Sequence, residues 1–492
     1  MKSRHLYIIL LLLAVSTSLR AQLVDNAPKQ EVRAAWVTTA YGLDWPKTRA
    51  NTAANRQKQQ DELIEILDQL KAANFNTVLF QMRTRGEVFY KSDLEPYCSL
   101  LTGRINGDPG YDPLQFAINE CHKRGMECHA WIVTLPLGAQ RHMRNLGKNA
   151  VTQKQSALTV LYRGEYYMDA GNPQTKEYLM RLVNEVVSRY DIDGVHFDYL
   201  RYPERLRQFP DQRQFRRYAK GRSYEQWHRD NITEIVRYIY KGVKSSKPWV
   251  KVSTSPVGKS HDLTRYSSNG WNALVTVSQD VQGWLGEGIQ DQIYPMMYFK
   301  GNNFYPFALD WQEQSNGRQV IPGLGIYFLD PKEGDWNVEE VERQINFIRN
   351  NELAGQGHYR VQYLIENVKG LYDKLIQHYY RHPALWPSMP WLDSQAPTAP
   401  QKLKKEICNQ SYVQLTWEAS TDNDKQNAPM YVIYASDSYP VDTSNAENII
   451  AQRITTTSYT YTSILPWQHK DYFAVSAIDR YGNESEAVQL AP

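Results

Sequence analysis

Strand-like and helix-like stretches alternate between Glu31 and Tyr380, and that alternation restricts the fold more than any other feature of the chain. Strands are predicted at Glu31 to Thr39, Phe75 to Arg83, Met126 to Val133, Asp193 to Tyr199, Val250 to Ser255, Asp291 to Tyr298, Val320 to Ile326 and Gly355 to Tyr359. Helical patterns lie between most of them. Arg56 to Ala73 sets Leu63, Ile66, Leu67 and Leu70 on one face, and Asn172-Pro173 starts the helix that runs to Tyr190. Further helices are expected at Tyr111 to Arg124, Tyr224 to Lys244, Trp271 to Leu285, Val338 to Asn350 and Val368 to Tyr380, whereas Phe299 to Gln319 reads as a loop. Strand-then-helix units with right-handed crossovers close most economically into an α/β fold, a TIM (β/α)8 barrel.

The connections after the strands are long: Thr84 to Gly110, Thr134 to Gly171, Pro203 to Ser223, Pro256 to Gly270 and Phe299 to Gln319. Those before the strands are short. In a parallel barrel the first kind builds the active-site face, so this asymmetry points to a large, shaped substrate.

A length of 492 residues suits such a barrel plus one small module, and a net charge of +3 gives no global sign of nucleic-acid binding. At the N-terminus, Lys2 and Arg4 precede an apolar run from Leu6 to Val15 and small residues up to Ala21. This is the pattern of a signal peptide over residues 1–21, too short for a lasting membrane span, so the mature protein is expected to be exported to the periplasm, the envelope or the medium. The four cysteines, Cys98, Cys121, Cys128 and Cys408, lack zinc-site spacing and make no disulfide framework.

A cluster of prolines from Pro383 to Pro400 marks a boundary, with the barrel domain over 31–392 and a small all-β domain over 397–492. In that second domain VQLTWEAS, YVIYAS and DYFAVSAIDRYGNES resemble a fibronectin type III sandwich. The resemblance implies a spacer that presents or docks on the barrel.

Chemistry concentrates in Tyr190 to Pro203, YDIDGVHFDYLRYP. Val195 and Phe197 alternate with His196 and Asp198, so a period-two strand sends the apolar pair one way and the polar pair the other. If the polar direction is the barrel interior, Asp198 stands at the C-terminal end of a barrel strand, where such folds keep their catalytic groups. The alternative is that Asp198 caps the next turn or pairs with Arg201.

Six segments follow one another in order: EVRAAWVTTAYGLDWP, FQMRTRGEVFY, ECHAWIV, MDAGNP, DGVHFDYLRYP and DQIYPMMY. In this order they resemble the glycosyl-hydrolase-like family ten domain over about Glu31 to Trp391. The resemblance implies an exported TIM-barrel glycosidase, and bacterial members include cell-wall enzymes that hydrolyse peptidoglycan glycans stripped of their stem peptides. Two positions depart from the family pattern: Tyr199 stands where a second Asp usually follows, and Glu87 where many relatives carry Asp. The fourth strand is also similar to the DGxDxDxE signature of family-eighteen chitinases, but His196 replaces its middle acid and Leu200 its proton-donating Glu, so acetamido-assisted hydrolysis through that donor is not supported.

Glycosidic hydrolysis needs two carboxyl groups, one to protonate the leaving oxygen and one to attack or to activate water. Asp198 is the first. Glu87 leads for the second, with Asp44, Asp330 and Glu366 behind it, and the division of roles stays open. For sugar recognition Trp45, Trp131, Tyr199, Tyr294 and Tyr298 offer flat faces, while Gln81, Arg83, His129, His196, Arg201 and Asp44 offer polar contacts. Gln81 and Arg83 share a parity on their strand, as do His129 and Trp131. His129 and His196 lack a third ligand at metal spacing, so neither metal nor cofactor is expected. A basic run of Arg205, Arg207, Arg213, Arg216, Arg217, Lys220 and Arg222 would attract an acidic polymer.

The expectation is therefore an exported glycoside hydrolase acting by carboxylate acid/base chemistry on a peptidoglycan-type glycan. The alternatives are a catalytically silent glycan-binding protein of the envelope and a hydrolase of another exported or dietary polysaccharide.

Overall fold

The computed structural model describes residues 27–204, 208–409, 412–463 and 469–492. The expected signal peptide and the basic residues Arg205 and Arg207 lie outside the described residues. Among the described residues no helix is long and apolar enough to cross a membrane.

The barrel strands are β1 (Val32–Val37), β2 (Thr77–Thr84), β3 (Glu127–Val133), β4 (Gly194–Asp198), β5 (Lys251–Ser255), β6 (Gln292–Ile293), β7 (Gln319–Val320 and Gly323–Leu324) and β8 (Gly355–His358). They pair in parallel in chain order, and β8 pairs with β1. Strand β7 is split because Pro322 has no N–H to give to the ladder. Its backbone still bonds both neighbours, Ile321 N to Ile293 O at 2.9 Å and Gly357 N to Pro322 O at 3.0 Å, so the ring closes. Pro295 shortens β6 in the same way, and the strand expected to reach Tyr298 is regular only to Ile293.

Helix α1 (Ala53–Ala72) starts where the Thr52 side chain accepts from Asn55 N, and it buries Leu63, Ile66, Leu67 and Leu70, the stripe predicted from their spacing. Around the ring follow α2 (Pro113–Lys123), α3 (Gln174–Arg189), α4 (Tyr224–Ser246), α5 (Val281–Gly286), α6 (Tyr305–Glu313), α7 (Val338–Asn350) and α8 (Leu371–Lys374), which runs on as a π-turn to Tyr379. Two expectations need correction. Helix α6 occupies the stretch read as a loop, with Pro306 in its first turn and Phe307, Ala308 and Trp311 buried. The helix expected over Trp271 to Leu285 is instead Ala273–Thr276 and α5, separated where Ser278 turns left-handed at φ 60°.

The long loop after β3 folds into a small antiparallel sheet of Pro136–Ala139, Thr159–Tyr162 and Glu165–Met168. It is a wall built beside the barrel mouth rather than a loose loop.

Beyond the prolines, two antiparallel sheets form the C-terminal domain. Gln401–Asn409, Tyr412–Glu418 and Ser458–Thr462 make one; Ile449–Ile454, Met430–Ser436, Tyr472–Ile478 and Val488–Gln489 make the other. Leu415, Trp417, Ile433, Phe473 and Val475 fill the space between them. The domain docks on the base of the barrel. Asp193, just ahead of β4, accepts at Oδ1 from Arg453 Nη2 at 2.7 Å and Arg480 Nη2 at 3.1 Å, while its Oδ2 accepts from Cys128 N at 2.9 Å and lies 2.8 Å from His122 Nε2. These cations hold the Asp193 carboxyl well below the usual carboxylate range despite its burial. Since Asp193 and Asp198 bracket the two ends of one strand, this docking leaves the opposite end of the barrel open.

Candidate active site

Strand β4 points Val195 and Phe197 into the core against the helices and His196 and Asp198 into the barrel. The imidazole of His196 is sealed inside. Its Nε2 accepts from Trp36 Nε1 at 3.3 Å, so Nδ1 carries the hydrogen given to Ser253 Oγ at 2.9 Å. Burial, with His129 nearby, holds its pKa well below the ordinary value, and the ring stays neutral. Tyr294 and Trp36 pack edge-on around it. His196 and Tyr294 thus form a floor beneath the site.

Asp198 stands one step higher, at the base of an open cleft of about 490 Å³. Its carboxyl is 7% exposed, and it accepts from Trp131 Nε1 at 3.3 Å and from Tyr199 N at 2.8 Å. Burial raises its pKa to about 6, although Arg201 and these hydrogen bonds oppose the rise. Tyr199 follows in the left-handed region at φ 52°, a conformation disfavoured for a residue with a Cβ. That turn brings its ring, 42% exposed, out along the cleft.

The β1 loop contributes Thr38, Ala40, Tyr41 and Leu43 to the cleft, β2 contributes Gln81, Thr84 and Arg85, and β3 contributes Trp131 and Val133. The small sheet after β3 adds Glu165 and Tyr167; the β4 loop adds Arg201 and Glu204; Trp271 and Tyr359 come from beyond β5 and β8. Of the predicted residues, Asp198, Trp131, Gln81, Tyr199 and Arg201 are brought together. Gln81 also shapes the wall, since its Oε1 accepts from Thr39 N at 3.0 Å and Ala40 N at 2.7 Å. Tyr298 stands one layer back, stacked on Tyr359 at 5.4 Å.

The other predicted residues lie elsewhere. Glu87 is buried away from the cleft lining; it accepts from Ser99 N at 3.1 Å, and His142 Nε2 is 3.2 Å from its Oε2. Arg83 is wholly buried, in a two-pronged pair with Glu95 at 2.7 Å and bonded to the carbonyls of Val133 and Thr134. Its parity with Gln81 fails because β2 carries a bulge: Gln81 pairs with Trp131, but Arg83 pairs with Ile132, so Arg83 turns outward. Asp44 binds Arg360 and accepts from Thr38 N at 2.7 Å, tying the β1 loop to the end of β8; burial raises its pKa against the Arg360 charge. Trp45 is core, with its Nε1 on Gln59 O at 2.8 Å. His129 sits low in the barrel, 3.0 Å from Glu127, which also binds Lys251. Asp330 and Glu366 do not line the cleft.

The residue that sequence reading missed is Glu165. It is half-buried, it lines the cleft, and its Oε2 accepts from Tyr167 OH at 3.3 Å. It sits on the short strand Glu165–Met168, inside a segment read as loop.

The arrangement offers a buried carboxyl whose pKa is raised to about 6, a second acidic side chain on a neighbouring wall, and exposed aromatic rings lining the same cleft. Those are the components of glycosidic hydrolysis. Comparison with known proteins agrees. Residues 31–328 match the family model described as glycosyl hydrolase-like 10. The glycosyl hydrolase YngK of Bacillus subtilis is 32% identical over 481 residues, covering 93% of this chain and 92% of that protein. The glycosyl hydrolase DigH of Escherichia coli K12 is 30% identical over 374 residues, covering 68% of this chain and 84% of that protein. Among solved structures, the glycoside hydrolase domain of PgaB (BpsB) from Bordetella bronchiseptica aligns with a TM-score of 0.45 at 12% identity, covering 70% of this chain and 98% of that one. The chain belongs to the glycosyl hydrolase-like 10 family and is a glycosidase.

Proposed function

We propose that this glycosidase acts after export on a peptidoglycan-type glycan of the bacterial cell wall, with Asp198 as proton donor and Glu165 as the second carboxyl group. The observation that carries the reading is the position of Asp198: a largely desolvated carboxyl at the base of an open cleft, held by the Trp131 indole and the Tyr199 backbone N–H. It gives its proton to the glycosidic oxygen as the bond from that oxygen to the anomeric carbon breaks. Glu165 attacks the anomeric carbon or takes a proton from the water that does, and the water's oxygen ends on that carbon.

A long polymer suits a cleft open along its length and walled by an inserted sheet, and amino sugars suit a lining of aromatic faces interleaved with amide and hydroxyl groups. Export is supported by the basic-then-apolar N-terminal sequence. Release of reducing ends from denuded glycan strands tests the reading. Wild type releases them and Asp198→Asn does not. Equal release by the two proteins removes Asp198 from the chemistry, and no release by either removes this substrate.

A further inference from the structure

Most buried arginines of this protein are committed to carboxylates. Arg33 binds Glu31, Arg83 binds Glu95, Arg360 binds Asp44 and Arg453 binds Asp193. The two arginines of the cleft are different. Among the described residues, neither Arg85 nor Arg201 has a carboxylate within salt-bridge distance or a hydrogen-bond acceptor, although Glu165 and Glu204 line the same cleft. Arg201 lies over the Tyr199 ring at 4.7 Å and the Trp271 ring at 5.8 Å, and its Nε is buried without a partner. Arg85 lies over the Tyr41 ring at 4.4 Å.

Stacking on aromatic faces holds a guanidinium in place without using its N–H donors. A buried donor with no acceptor is destabilising, so it persists where a ligand supplies the acceptor. A planar two-pronged donor matches a carboxylate. We infer that Arg201, with Arg85 on the neighbouring wall, recognises a carboxylate on the glycan, making the cleft selective for acidic sugars over their uncharged counterparts. Arg201 is within electrostatic reach of Asp198, so the recognised group belongs to a sugar at or next to the bond being cleaved. Both arginines are specificity-determining rather than catalytic.

The inference rests on the glycan-cleaving assignment of the same cleft, and binding without turnover separates the two. The Asp198→Asn full-length protein is titrated with denuded peptidoglycan strands, with the same strands after amidation of their lactyl carboxylates, and with a polyuronate and its methyl ester. The acidic strands are expected to bind about tenfold more tightly than the amidated ones, the worth of one charge-assisted hydrogen-bonded pair. Adding Arg201→Gln should abolish that preference and Arg201→Lys restore part of it; thermal melting checks that each variant is folded. Equal binding of acidic and amidated strands, and of polyuronate and its ester, overturns the inference while leaving wild-type turnover to decide the substrate. A preference shown only between polyuronate and its ester supports carboxylate recognition and overturns the peptidoglycan assignment.

Discussion

The indole Nε1 of Trp131 lies 3.3 Å from Asp198 Oδ2, reaching it across the β3–β4 pair. This donor and Tyr199 N only partly replace the water removed from the carboxyl, so burial prevails and the pKa settles at about 6. The indole therefore aims the carboxyl, while burial raises its pKa against that hydrogen bond.

Activity should fall as pH rises through about 6, because the donor is then lost. Arg201 opposes the raised pKa of Asp198, so Arg201→Gln should move the falling limb to higher pH. A profile of kcat/KM against pH for both proteins checks this. An unmoved limb would assign it to another group.

Asp198→Asn should abolish turnover, by about 10²–10⁴-fold, yet stabilise the fold. In the folded state Asp198 binds its proton more tightly than in the unfolded chain. Its burial therefore costs nothing below pH 4 and destabilises increasingly as pH rises to about 6. A rise from 3.8 to about 6 corresponds to about 3 kcal/mol at most. Melting temperatures of the two proteins should coincide at pH 4 and separate by several degrees at pH 8, with the variant higher; the reverse order would mean that the carboxylate is well paired in the fold.

Glu165→Gln should lower kcat by about 10²-fold or more with the fold intact. Glu87→Ala should do the opposite, losing about 1–3 kcal/mol of stability because Ser99 N–H is left unpaired, with little change in kcat/KM for the folded fraction. Urea titration and initial rates on the two variants test both halves. If Glu87→Ala loses activity while retaining stability, the assignment of these acids must be exchanged.

Asp193→Ala should cost about 3–5 kcal/mol, since the buried Arg453 would lose its carboxylate partner and Arg480 would keep only the exposed Asp191. The folded-state pKa of Asp193 is depressed, so its contribution is present above the ordinary carboxylate range and lost as pH falls through and below it. Equilibrium unfolding at pH 7 and at low pH should show the wild-type advantage shrinking in acid. A loss under about 1 kcal/mol at pH 7 would mean that the C-terminal domain is held by other contacts.

How much of this was legible beforehand depended on whether a local period survived assembly. The stripe of Leu63, Ile66, Leu67 and Leu70 did, because a helix presents the same face whatever it packs against. The inward turn of His196 and Asp198 did, because β4 is regular from Gly194 to Asp198. The pairing of Gln81 with Arg83 did not, because one extra residue in the bulge reverses every later side chain on that strand. Glu87 and Asp44 occupy mouth loops as expected, yet both are drawn into hydrogen bonds that carry them off the cleft.

By itself, the order of apolar and polar residues determined a barrel of alternating strands and helices, the end at which its long loops gather, and the strand that delivers Asp198. Those follow from backbone periodicity, which acts over a few residues. Only the tertiary structure decided which acids line the cleft with Asp198, which of the cleft's arginines remain without a carboxylate partner, and which end of the barrel the C-terminal domain covers. Each of these depends on residues far apart in sequence competing for the same partners, and that competition is settled by packing distance and desolvation once the ring has closed.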